Sequence, residues 1–140
     1  RGHITLNSSD PYEYPKILFN YLQDEEDLKQ TRECIHVARN ILSQPALTEH
    51  AGKEVGPGID AQSDDEINEY IRSKADTAYH PCGTCKMGVD EMSVVDENLK
   101  VKGIQNLRVV DASVIPEIPS ANLNAPTLMI AEKAADCILN

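Results

Sequence analysis

Residues 79–88 read Tyr-His-Pro-Cys-Gly-Thr-Cys-Lys-Met-Gly, a run in which most side chains are either reactive or backbone specialists. Such a run cannot sit inside a regular helix or strand. Pro81 lacks a backbone donor and holds the residue before it extended. Gly83 and Gly88 open turns that other residues resist. The expected structure is an irregular loop that displays His80 instead of packing it. Imidazole, with an unperturbed pKa of about 6.5, exchanges protons near neutral pH. His80 is therefore the first candidate for a catalytic base, and a structural histidine is the ordinary alternative.

The same loop admits two other readings. His80, Cys82 and Cys85 form H-x-C-x-x-C, which can offer three ligands to zinc. The fourth ligand is the difficulty, because His3, His36, His50, Cys34 and Cys137 are scattered. Cys82-Gly-Thr-Cys85 also has the outline of a redox pair, but that motif normally opens a helix after a strand. Lys86 and Met87 give no helix-start signal. Cys34 and Cys137 fall in helical segments and are expected to be buried apolar residues.

A second constellation lies downstream. Residues 122–127 read Asn-Leu-Asn-Ala-Pro-Thr, and Pro126 suits the first turn of a helix that runs to about Leu139. Asn122 and Asn124 are ordinarily caps in such a place. A helix start is also a site of positive potential with free N–H groups. An anionic ring or carbonyl there gains about 0.3–2 kcal/mol from the dipole. Leu128, Met129, Ile130 and Ala131 are apolar in succession, so the start of this helix is expected to be buried.

Working outward, His3–Leu6 alternates as a short strand and residues 7–11 read as a turn. Asp24 is a good N-cap, followed by Glu25, Glu26 and Asp27, whose charge suits a helix start. Leu28, Ile35, Ala38 and Leu42 recur at helical spacing, and Pro45 limits that helix. Gly52–Gln62 is a loop. Its glycines at 52, 56 and 58 do not make the G-x-G-x-x-G phosphate pattern. Ser63-Asp-Asp-Glu66 is a capping box that opens a helix through about Ala75, with Ile67, Tyr70 and Ile71 on one face. Residues 94–96 and 99–101 predict short strands, and residues 107–110 predict a strand ending at Asp111. The expected class is α+β, with three main helices and short strands.

Composition narrows the partners. Lys and Arg number 13 against 23 Asp and Glu, a net charge of −10, which argues against nucleic acid and anionic membrane surfaces. No apolar run approaches the roughly 20 residues of a membrane helix. The chain begins with Arg1, which suggests processing or excision from something longer, and no signal-peptide pattern opens it. Four cysteines are too few for a disulfide-built scaffold.

Three stretches in order resemble one family, the glucose-methanol-choline (GMC) oxidoreductases. Residues 80–88 resemble its histidine loop, residues 103–113 its segment returning to the flavin domain, and residues 122–136 its closing helix. Residues 1–11 resemble the start of the family's C-terminal region, so the likeness covers essentially the whole chain. The closest flavours are the insect glucose-dehydrogenase-like and choline-dehydrogenase-like branches. The resemblance implies a split into a substrate-binding region, 1–102, and the last strand and helix of an FAD-binding domain, 103–140. It implies FAD as cofactor, an alcohol or sugar as substrate, and the upstream FAD-binding domain of the same parent chain as partner. It implies His80 as base or positioner of the alcohol, with Asn122 beside it at the flavin face. Asn124, Ala125, Pro126 and Thr127 would approach the pyrimidine end of the flavin. Asp111 and Ala112 would approach its ribityl–pyrophosphate region. The family's dinucleotide motif is absent from these residues, so the chain alone is expected to bind FAD weakly or not at all and to be inactive.

Overall fold

The computed structural model describes residues 1–139, which form two compact units, Arg1–Asp76 and the chain from Thr77 onward. In the first unit, β1 (His3–Thr5) and β2 (Lys16–Leu18) pair antiparallel, with Ile4 opposite Ile17. The Asp10 carboxylate accepts from the Tyr12 N–H at 2.9 Å and helps turn the connection. Helix α1 (Glu25–Leu42) starts where the sequence expects it, with the Asp24 side chain accepting the Glu26 N–H at 2.9 Å. Helix α2 (Asp64–Lys74) opens on the capping box. The Ser63 hydroxyl takes the Glu66 N–H, and the Glu66 carboxylate takes the Ser63 N–H.

The core of this unit is small. Leu28 of α1 meets Ile67 and Ile71 of α2, with Leu22, Ile35 and Ala61 packed around them. The expected α1 stripe is covered only at its beginning, and Leu42 is exposed. α2 is only three turns long, too short to cover the whole face of α1. Cys34 is exposed, against expectation, because it projects from an uncovered face of α1.

A half-buried polar clamp supplements that core. Arg39 on α1 meets the Glu54 carboxylate bidentately at 2.9–3.2 Å, and donates to the carbonyls of Gly58 at 3.1 Å and Ala61 at 2.8 Å. One guanidinium thus fixes the loop between the helices at three points. These hydrogen bonds hold the Glu54 carboxyl below its usual range, while partial desolvation works in the opposite direction.

The second unit lacks long strands. Residues 94–110 make isolated bridges only: Met87 with Val95, Val95 with Val101, and Lys100 with Arg108. The expected strands at 94–96, 99–101 and 107–110 are therefore not formed as continuous ladders. Turns interrupt them too soon. Asp96 accepts from the Asn98 and Lys100 N–H groups, and Leu99 and Asn106 take left-handed backbone angles of +62° and +60°. Helix α3 (Asn124–Leu139) closes the unit. Its Ile130 and Ala134 join Val95, Leu99, Val114, Ile115 and Leu123 in one core. The expectation of a buried helix start holds only for Ile130. Leu128 and Met129 are about three-fifths exposed, because α3 packs along one stripe. Cys137 is likewise exposed. No helix among the described residues is long and apolar enough to cross a membrane.

Arg39→Met should destabilise the protein by about 2 kcal/mol, the scale of lost charge-assisted hydrogen bonds with partners left unsatisfied. Denaturant unfolding of the variant measures this directly.

Candidate functional site

The loop from Thr77 to Gly88 owes its path to a few backbone specialists. Tyr79 adopts φ +60°, and its N–H is accepted by the Thr77 hydroxyl at 3.0 Å. Pro81 keeps His80 away from the helical region. Gly83 adopts φ +88°, a conformation that L side chains rarely take, and a Cβ there would lie 3.4 Å from the Ile115 carbonyl oxygen. Beyond it the chain is stitched to the segment ahead of α3. The Cys85 N–H donates to the Ser113 carbonyl at 3.0 Å, and the Met87 N–H to the Val114 carbonyl at 2.8 Å. Val114 is fully buried, so this seam rests on the core.

The far end of the loop is tied by Asp90. Its carboxylate accepts from the Ser93 hydroxyl at 2.7 Å, the Lys86 ammonium at 3.1 Å and the Met92 N–H at 2.9 Å. The Ser93 hydrogen bond, then Lys86, bring the Asp90 carboxyl down to about 2.

Asn122 is placed from the other side. Its neighbour Leu123 is buried in the core, and the Leu123 carbonyl receives both the Thr127 N–H at 2.9 Å and the Thr127 hydroxyl at 2.7 Å. With Leu123 pinned inward, Asn122 is left exposed. The carboxamide nitrogen of Asn122 lies 2.9 Å from Nε2 of His80, across 42 positions of sequence. In this orientation the amide N–H donates and Nε2 accepts, which is the tautomer with the ring proton on Nδ1. Rotating the carboxamide would present its oxygen, which accepts from a protonated Nε2. The pair can therefore accommodate the imidazole in either proton state.

The remaining sequence candidates fall into two groups. Asn124 and Ala125 are exposed on the first turn of α3, with Pro126 and Thr127 half-buried behind them. The first N–H groups of a helix have no acceptor inside it, so this turn, continuous with Asn122, offers donors and positive potential. Asp111 is exposed, and its carboxylate accepts from the Ser113 N–H at 2.8 Å. It caps the short turn Ala112–Val114, in which Ala112 packs against the core. Among the described residues, no hydrogen bond joins the Asp111 side chain to the His80–Asn122 pair.

The cysteines take a lesser part. Cys82 and Cys85 are free and half-buried, and burial pushes the Cys82 thiol up, away from the thiolate that metal binding or exchange needs. Among the described residues, no three His, Cys, Asp or Glu side chains are grouped as a metal site. Two features escape the sequence reading: the Thr77–Tyr79 turn and the Asp90 knot. The short spacings Thr-x-Tyr and Asp-x-x-Ser are their only signals.

Comparison with known proteins identifies the family. The family model described as GMC oxidoreductase matches residues 1–131. Oxygen-dependent choline dehydrogenase of Klebsiella pneumoniae subsp. pneumoniae is 54% identical over 138 residues, covering 99% of this chain and 25% of that protein. This chain thus spans about a quarter of the length of the curated relatives it matches. Among solved structures, an FAD-dependent oxidoreductase from Chaetomium thermophilum superposes with TM-score 0.91 at 29% identity, over 98% of this chain and 24% of that one. Pyridoxine 4-oxidase from Mesorbium loti superposes with TM-score 0.89 at 34% identity, over 96% and 26%.

The Asp90 carboxyl, ordinarily at 3.8, titrates at about 2 in the folded chain. A depressed carboxyl stabilises the fold above its unfolded pKa and ceases to do so as pH falls through the folded one. Stability should therefore fall between about pH 4 and pH 2, and Asp90→Asn should remove part of that slope. Acid unfolding curves of the two proteins, followed by circular dichroism, test it.

Proposed function

The chain belongs to the GMC oxidoreductase family, and from that premise we propose that it is the C-terminal part of an FAD-dependent enzyme that oxidises the CH–OH group of an alcohol or sugar. Within that class, the choline dehydrogenase name carried by relatives at 54% identity favours a choline-like alcohol. The observation that carries the reading is the 2.9 Å approach of the His80 imidazole to the Asn122 carboxamide. Neither side chain is spent on packing, and the two meet beside the exposed start of a helix. Residues 1–102 belong, on this reading, to the substrate-binding region, and residues 103–140 complete the FAD domain.

The residues present fit a flavin edge. The first turn of α3 offers unpaired N–H donors at Asn124 and Ala125, and the small Ala125 allows close approach. Thr127 is held in place by its bond to the Leu123 carbonyl. Asp111 and Ala112 are the residues for the ribityl–pyrophosphate region. When bound, FAD supplies the hydride-accepting chemistry. The helix start would stabilise negative charge on the pyrimidine end by fixed dipoles that need no reorganisation.

On this reading the alcohol hydroxyl displaces the Asn122 amide from Nε2, and His80 accepts its proton there or holds it in place. Asn122 cannot take a proton. Its amide donates to the developing alkoxide or to the imidazole, and its oxygen accepts from the alcohol or from the protonated ring. The two together orient one hydroxyl at the flavin face, which is where the entropic part of the barrier is lowered. The G-x-G-x-x-G residues for the adenosine half of FAD are not in this sequence. The isolated 140 residues are therefore expected to retain little flavin and to be inactive.

In the flavin-loaded enzyme that contains this chain, His80→Ala should slow flavin reduction by roughly 10²–10⁴, the scale of a lost general base. Stopped-flow absorbance under anaerobic conditions reads the rate, and an unchanged rate would remove His80 from the chemistry.

A further inference from the structure

The role proposed for His80 requires an aimed imidazole, and the residue just before it is held in an unfavourable backbone conformation. Tyr79 sits at φ +60°, a region suited to glycine or asparagine and strained for a large side chain. Its ring is 80% exposed, so packing of the ring within this chain does not hold the backbone there. The hydroxyl of Thr77 accepts the Tyr79 N–H at 3.0 Å. A side-chain oxygen that accepts the N–H two residues on closes a local turn in place of a backbone carbonyl.

What leaves that turn is His80. Pro81 confines His80 to extended backbone angles, so the backbone direction from which the imidazole departs is set at Tyr79. Downstream the path is equally fixed, by the left-handed Gly83 and by the Cys85 N–H on the Ser113 carbonyl at 3.0 Å. The left-handed angle at Tyr79 is thus the soft joint of the loop. If Tyr79 relaxed to an ordinary angle, the chain direction into His80 would change and Nε2 would leave the Asn122 amide, now at 2.9 Å. We infer that Thr77 is a positioning residue for the reaction: its hydroxyl holds Tyr79 in the left-handed conformation that aims His80 at Asn122. The inference rests on the reading of His80 as base or positioner of the alcohol.

The test uses the complete flavin-loaded enzyme. Thr77→Val keeps the side-chain shape and removes the acceptor, while Thr77→Ser keeps the acceptor. Thr77→Val should slow flavin reduction about tenfold, with KM little changed, as expected when a reacting group is misplaced by less than an ångström. Thr77→Ser should restore the rate. A crystal structure of Thr77→Val should show the His80–Asn122 separation opened beyond hydrogen-bond range. The deciding comparison is with Tyr79→Gly, since glycine occupies the left-handed region without strain. In that background Thr77→Val should cost about twofold or less. If it costs the same in both backgrounds, or costs nothing in either, Thr77 does not act through Tyr79 and the inference fails. Should Thr77→Val not retain flavin, Thr77→Ala against Thr77→Ser gives the same comparison. If the separation opens in the crystal while His80→Ala leaves flavin reduction unchanged, the positioning stands and the catalytic reading of His80 falls.

Discussion

Two backbone hydrogen bonds carry the candidate site: the Cys85 N–H to the Ser113 carbonyl, and the Met87 N–H to the Val114 carbonyl. They join the loop that bears His80 to the segment that leads into α3, and so to Asn122. A single hydrogen bond between exposed side chains is worth about 1 kcal/mol, too little to gather two segments 42 positions apart. The gathering is done by the core. Val114 and Leu123, one on each side of the irregular segment, are buried with Val95 and Ile130. The seam then sets the register, and the 2.9 Å approach follows from it.

This arrangement explains how the candidate pair is held on a stretch with little regular structure. Residues 77–123 contain only one short helical turn, and their order comes from side chains that substitute for backbone partners. Thr77, Asp90, Asp96 and Asp111 each accept N–H groups nearby. Irregular backbone must satisfy its donors somehow, and short polar side chains are the local means. The carboxylates among them accept nearby N–H groups, whereas the side chains of His80 and Asn122 meet each other across the loop.

Much of this was legible in the sequence wherever one residue dictates local geometry. The Asp24 cap, the Ser63–Glu66 box, the displayed His80 and the helix opening near Pro126 all have strong, short-range causes. The failures are of a different kind. The stretches 94–96, 99–101 and 107–110 have strand composition, but turns three to four residues apart prevent continuous ladders, and composition does not encode that spacing. Leu128, Met129, Cys34 and Cys137 pattern as core residues yet are exposed. Apolar periodicity reports that a face is to be covered, without saying by what. The Thr77–Tyr79 turn was missed because threonine two residues before tyrosine is too common a pattern to signal a strained backbone.

On the proposed reading, His80 and Asn122 act as one unit on the reacting hydroxyl. A double-mutant cycle on flavin reduction in the complete enzyme tests it most directly, using His80→Ala, Asn122→Ala and the double variant. Strong non-additivity is expected, with the double variant little slower than His80→Ala alone. Losses that simply multiply would mean two independent side chains that happen to lie 2.9 Å apart, and would contradict it.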